Sequence, residues 1–154
     1  MSENRYSFIR KASRQDLSRI AEIYVLNCRV NYLPIFGDER YAFNKLQVLS
    51  VIDSHFGKEE VLDRLYVYDD GIVRGFIEVS GNEIEKLFVD TFFQGKGIGA
   101  GLLAFASDNL GASFLWALEK NQRAVSFYHR NGFKLTGKRK PEEGTNEYIV
   151  ELRR

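Results

Sequence analysis

Apolar residues in the first third of the chain recur at steps of three and four. Leu17, Ile20, Ala21, Tyr24, Val25 and Cys28 keep that spacing, which predicts an amphipathic helix with one buried stripe. Ser13 stands ahead of it as a cap, and Asp16 follows three residues on, a variant of the capping box. Tyr6, Phe8 and Ile9 form a short apolar segment that predicts a first strand. Pro34 and Gly37 break the chain after the helix. A second helical stretch is predicted around Leu46, Leu49, Ile52, Asp53 and Phe56, on or near one face, ending at Gly57.

From Leu65 onward the period is two. Leu65 and Val67 alternate with Tyr66 and Tyr68, the pattern of a strand. Asp69-Asp70-Gly71 is hairpin chemistry, because glycine accepts the positive φ such turns need. Strands over 72–80 and 83–89 follow, joined by Gly81-Asn82. A helix over about 97–110 ends at Gly111, and a strand over 113–118 comes next. Asn121 caps a last helix that carries Ala124, Val125 and Tyr128 and ends at Gly132. Residues 133–138 and the alternating Tyr148, Val150 and Leu152 predict two closing strands. The order β-α-α-β-β-β-α-β-α-β-β implies an α/β fold: a mixed, mostly antiparallel sheet of about seven strands with helices on both faces. No repeat, low-complexity tract or linker interrupts it, so a single domain over residues 1–154 is expected.

Composition narrows the function classes. Net charge is +1, so no global field draws the chain to nucleic acid or anionic lipid. The locally basic Lys134, Lys138, Arg139 and Lys140 read as a solvated strand and loop. Cys28 is the only cysteine, at core spacing, which excludes an internal disulfide and a Cys-rich metal site. Residues 1–11 lack the apolar core of a signal peptide, and no apolar run reaches the ~18 residues of a membrane span. A soluble, cytoplasmic protein is expected, with no metal, nucleic acid or membrane partner.

Between the fourth strand and the next helix stands Gln94-Gly95-Lys96-Gly97-Ile98-Gly99-Ala100-Gly101. Four glycines at alternate positions are poor helix material, so their place at a helix start needs a reason. Bare backbone can approach a ligand closely, and the exposed amides with the helix dipole favour an anion such as phosphate. On this reading a branched side chain at Gly99 would occupy the anion's place. A tight turn that binds nothing is the bland alternative. A Walker loop fails, since no Gly-Lys-Ser/Thr closes the turn. A dinucleotide fingerprint fits Gly95-x-Gly97-x-x-Ala100, with Glu119 near the distance of a ribose-binding acid. However, antiparallel hairpins precede the turn and too little chain follows it.

A third reading comes from resemblance. Gln94-x-x-Gly97-x-Gly99 resembles the Gln/Arg-x-x-Gly-x-Gly/Ala signature of the GNAT N-acetyltransferase superfamily. Asn121-x-x-Ala124-x-x-Phe127-Tyr128-x-x-x-Gly132-Phe133 looks like its second motif, and the predicted strand order matches. The resemblance spans nearly the whole chain and is weakest over 31–63. It implies acetyl-CoA as co-substrate and transfer of the acetyl group to a primary amine by direct attack. Leu87, Phe88 and Val89 would pair with the pantetheine arm like an added strand. The pyrophosphate would be held by amides within Gly95, Lys96, Gly97, Ile98, Gly99 and Ala100, with Gln94 opening the turn and Asn121 facing the cofactor arm. Thr91 stands where many members carry proline.

Acyl transfer to an amine needs a neutral amine, a donor for the oxyanion and a proton for the departing thiolate. By the resemblance Tyr128 would be that acid, lining the cofactor groove with Asn121 seven residues earlier. Glu83 and Glu85, read as sharing one strand face, are the candidate bases, with Glu83 ahead by its spacing from the glycine turn; ordered water is the alternative. His129 is expected on the surface, and His55 shows no partner in the sequence. The 31–40 segment offers Tyr32, Phe36, Asp38 and Glu39, a combination suited to a cationic amine. The expected partner is an amine-bearing small molecule or protein, with a homodimer as an open option. A dinucleotide-binding module and a non-catalytic acyl-CoA-binding protein remain as alternatives.

Overall fold

The computed structural model describes residues 6–154. Residues 1–5, part of the N-terminal stretch read above for a signal peptide, lie outside the described residues. Seven strands form one sheet in the order β1-β2-β3-β4-β5-β7-β6. They are β1 (Ile9–Lys11), β2 (Leu65–Asp69), β3 (Val73–Ser80), β4 (Glu83–Val89), β5 (Phe114–Leu118), β6 (Lys134–Pro141) and β7 (Tyr148–Arg153). All neighbours are antiparallel except β4 and β5. The expected mixed, mostly antiparallel fold with helices is what forms. The antiparallel run β2-β3-β4 ahead of the glycine turn also removes the dinucleotide fold, and Glu119 is tied by two contacts to Arg139, at 2.8 and 3.0 Å.

Alternation decides which side chains each face buries. Leu65, Val67 and Phe76 pack with helix α1 (Leu17–Asn27) through Ile20, Ala21, Ile23 and Val25. Ile77, Val79 and Ile84 pack on the other face with helix α5 (Ile98–Asn109) through Leu102, Leu103 and Ala106. Asp16 closes the start of α1 by accepting the Ser13 amide at 2.8 Å, and Arg10 holds the same carboxylate at 2.8 and 2.9 Å. The predicted strands and the two long predicted helices stand within a few residues of their expected bounds. Among the described residues, no helix is long and apolar enough to cross a membrane.

The second helical stretch does not form as one helix. Between α1 and β2 the chain makes three short α-helices: α2 (Leu33–Phe36), α3 (Val48–Val51) and α4 (Glu59–Leu62). Wide i→i+5 turns over Cys28–Tyr32, Tyr41–Lys45 and Ile52–Phe56 separate them. Each wide turn re-phases the side chains, so the predicted face splits. Leu46 and Phe56 are buried, whereas Leu49 is 77% exposed and Asp53 is exposed.

Candidate functional site

β4 and β5 pair only at Glu83 with Phe114 and Ile84 with Leu115. Beyond Ile84 the strands part, and the sheet opens into a cleft of about 1330 Å³. That exceeds the roughly 300–1,000 Å³ of a drug-sized ligand site, and it suits a long substrate plus a second one. Leu87, Phe88 and Val89 line the parted edge. A bulge in β4 causes part of this geometry: Val79 of β3 faces Ile84 while Glu78 faces Lys86, which leaves Glu85 without an opposite residue. The bulge therefore corrects the simple alternation read from the sequence. Glu83 is half-buried and Glu85 is exposed, although both line the cleft.

The glycine turn forms one end of the cleft. Gly95 and Gly97 have φ of +77° and +82°, a region that side chains rarely adopt. A Cβ at either would meet nothing within 4 Å, so both border open space. Alternating backbone of this kind aims successive amides into one concavity, and the first turn of α5 adds its own unpaired amides. The turn is thus shaped for an anion. Gln94, Gly95, Gly97, Ile98, Gly99 and Ala100 line the cleft; the exposed Lys96 side chain lies near the Phe93 ring, at 6.0 Å. Gly99 has a different reason to be glycine. A Cβ there would stand 3.2 Å from Phe127 Cζ and 3.5 Å from Val89 Cγ2, so the absent side chain admits close helix-to-strand packing and leaves no anion seat of its own.

Helix α6 (Gln122–Arg130) supplies the opposite wall. Asn121 caps it by accepting the Ala124 amide at 3.2 Å, and Tyr128 lies two turns on. Both line the cleft. Tyr128 is half-buried, with Phe127 and Phe133 edge-on at ring distances of 5.3 and 6.3 Å. Burial pushes its phenol above the ordinary tyrosine range, so it stays protonated at neutral pH. Burial also raises Glu83 above the usual glutamate value, and the Glu85 charge adds to it against the opposing Lys140. His129 is exposed, as expected.

The third wall is irregular. Tyr24, Asn27, Cys28, Tyr32, Phe36 and Asp38 face the cleft from α1 and the segment after it, whereas Glu39 is exposed and outside it. Burial drives the Cys28 thiol up to about 12, which makes it an inert core sulfur at neutral pH. Glu142 and its neighbours in the β6–β7 hairpin also reach the cleft, and the Glu142 charge acts on Tyr32. Two buried polar positions beside or behind the cleft escaped the sequence reading. Asn27, 2% exposed, donates to the Val89 carbonyl at 2.9 Å and receives Gln94 Nε2 at 3.3 Å. Glu78 is buried against His55, whose partner the sequence did not show. A polar residue inside an apolar stripe, at both positions, was the available signal.

The family model for the Acetyltransferase (GNAT) domain matches residues 62–135, which contain β4, the glycine turn and α6. Over that stretch, just under half of its length, the chain is similar to the GNAT acetyltransferases. The chain is 36% identical over 64 residues to the peptidyl-lysine N-acetyltransferase YjaB of Escherichia coli (strain K12). That match covers 42% of this chain and 44% of the relative, so the chain spans less than half the length of this curated relative. The solution structure of apo YjaB from Escherichia coli is similar at a TM-score of 0.74 and 23% identity, over 94% of this chain and 95% of that one. The PaiA N-acetyltransferase from Thermoplasma acidophilum, solved in complex with coenzyme A, is similar at 0.66 and 23%, over 95% and 98%. These two are likenesses of fold. Thr91 begins a tight turn, Thr91–Phe93, with Asp90 Oδ1 accepting the Phe92 amide at 2.8 Å. The turn forms without the proline common in that family.

Proposed function

We propose that the protein moves the acetyl group of acetyl-CoA to a primary amine by direct attack. The observation that carries this reading is the parting of β4 and β5 beside the glycine turn. It leaves strand edge, anion-shaped turn and a protonated phenol facing one cleft. When bound, the co-substrate supplies an activated acetyl thioester. Amides of the 95–100 turn hold its pyrophosphate, and the free edge at Leu87, Phe88 and Val89 takes its arm as an added strand.

Tyr128 donates a proton to the departing sulfur. Glu83 takes the proton that a protonated amine must lose before it can attack, directly or through water. Its raised carboxyl is a better match to that task than an ordinary glutamate. An amide of the β4 edge donates to the developing oxyanion. The name of the YjaB relative supports a lysine ε-amine as the acceptor, and the acidic Glu83, Glu85 and Glu142 in the cleft suit its cationic form.

The test is release of free thiol from acetyl-CoA across a panel of primary amines, including lysine peptides. Turnover with an amine, and melting temperature raised by CoA but not by NAD, are expected. Binding without turnover across the whole panel would leave a non-catalytic acyl-CoA-binding protein. A larger shift with NAD would overturn the reading altogether.

A further inference from the structure

Glu78 sits in β3 with 1% exposure, inside an otherwise apolar run. Three basic side chains reach it. His55 Nε2 is 2.8 Å from Oε1, Arg64 Nη2 is 3.2 Å from Oε2, and Lys86 Nζ is 3.6 Å from Oε1. Burial opposes ionisation of this carboxyl, but the His55 hydrogen bond and the Lys86 and Arg64 charges outweigh it and hold it below the usual glutamate value. One negative charge therefore meets Arg64 and Lys86 before His55 is counted at all.

Arg64 and His55 already satisfy Glu78 at hydrogen-bonding distance. Lys86, at 3.6 Å, is a charge neighbour and lies beyond that range. It is also the member of the cluster that lines the cleft; Arg64, His55 and Glu78 stand behind it. Its ammonium lies 5.9 Å from the Tyr24 ring, in a cleft wall that Cys28 shares, and the side chain keeps 21% of its exposure. The surplus positive charge of the cluster is thus delivered to the cleft at Lys86. On the same strand, Glu83 and Glu85 present the opposite sign. A site with both signs within one short strand fits a ligand that also carries both.

We propose that Lys86 is a specificity-determining residue that binds a carboxylate on the acceptor, so that preferred acceptors carry an anionic group near the amine that is acetylated. This rests on the acyl-transfer reading above. The carboxylate has two possible sources: a free amino acid, or an acidic side chain beside a peptidyl lysine.

The experiment compares acceptors that differ only in this charge. With 6-aminohexanoate against 6-aminohexanamide, wild-type protein is expected to favour the carboxylate about tenfold in kcat/KM, mainly through KM, as for a charge-assisted contact. Lys86→Met should bring the ratio close to one, and Lys86→Arg should restore most of it. A lysine peptide with glutamate beside the lysine, against the same peptide with glutamine, separates the sources: discrimination there assigns the carboxylate to a peptide. Calorimetric binding of the product analogues 6-acetamidohexanoate and 6-acetamidohexanamide gives the same comparison without turnover. A ratio near one for wild type in binding, or an unchanged ratio in Lys86→Met, overturns the proposal and leaves Lys86 as a partner of Glu78. Selective binding with no thiol release from any amine would count against the transferase reading and would uphold this one.

Discussion

On the proposed reading, the donor wall of the cleft is built of backbone, while the acceptor wall is built of side chains on α1 and the irregular segment after it. On the donor side, the parted edge of β4, the positive-φ glycines of the turn and the first turn of α5 present amides and carbonyls. On the acceptor side, Tyr24 and Asn27 project from α1, Tyr32 from the wide i→i+5 turn that breaks the helical register, and Phe36 from the short α2. In the proposed reaction the pyrophosphate and the amide-bearing arm are the same in every turnover, so fixed backbone would suit them. An acceptor is recognised by its particular shape and charge, which side chains supply. The contrast predicts that donor-side changes alter CoA binding or chemistry and that acceptor-side changes alter choice of amine.

The largest expected effect tests the chemistry between the walls. Tyr128→Phe removes a hydroxyl and keeps the ring packed between Phe127 and Phe133. Folding and CoA affinity should stay near normal, and kcat should fall roughly 10²-fold, as for loss of a general acid. The fall should appear equally in kcat/KM. Single-turnover acetylation of an established acceptor checks it, and a wild-type rate would reduce Tyr128 to a packing residue.

Next comes the donor backbone itself. Gly97→Val forces a branched residue to φ near +82°, at a cost of about 1–3 kcal/mol in that turn. CoA affinity should fall about tenfold, measured by calorimetry. Gly99→Val acts elsewhere. Its side chain meets Phe127 and Val89 at 3.2 and 3.5 Å, so it should lower the melting temperature of the CoA-free protein as well. Both substitutions therefore destabilise the CoA-free protein, and CoA affinity separates them: an equal fall in affinity for both variants would erase the distinction between an anion turn and a packing contact.

Legibility in the sequence follows the same division. Period-two alternation and Gly71, Gly81 and Gly111 placed the middle and later elements closely, because strands and long helices obey one register throughout. The glycine turn and the Asn121 cap were legible as local structure, because positive φ and a helix start each demand particular residues. The bulge at Glu85 was not, since it depends on which β3 residue faces which β4 residue. Nor was the union of Glu78 with His55, Arg64 and Lys86, which brings together β3, a wide turn, the approach to β2, and β4. Such contacts are tertiary, and no local pattern encodes them.

A smaller effect should separate base from bystander. Glu83 is raised above the ordinary glutamate value by burial first and by the Glu85 charge second. Its base form therefore fills at higher pH than a free glutamate, and kcat/KM should climb with pH through that displaced range. Glu83→Gln should lower activity several-fold below the amine's own pKa, with recovery as alkali deprotonates the amine directly. Glu85→Gln should shift the wild-type limb to lower pH, because it removes a like charge that disfavours ionised Glu83. A pH profile of Glu83→Gln that superimposes on wild type would assign proton removal to water.

The smallest expected effect bears on the acceptor wall. Leu46, Leu49, Ile52 and Phe56 read in sequence as one apolar helical face, and a continuous helix would bury Leu49 with the others. The structure interrupts that helix with wide turns at Tyr41–Lys45 and Ile52–Phe56. Leu46 and Phe56 then reach the core at 4% and 0% exposure, while Leu49 points outward at 77%. A leucine so exposed loses almost no buried area when replaced. Leu49→Gln should change stability by no more than about 0.5 kcal/mol, within the usual range for surface positions. The matching Phe56→Ala change should cost about 3–5 kcal/mol, since that ring is fully buried against Tyr24 and Phe76. Thermal melts of the two variants measure the difference directly. Comparable losses would mean that this stretch packs as a regular helix in solution; the acceptor wall would then be as regular as the donor wall, and the contrast between them would fail.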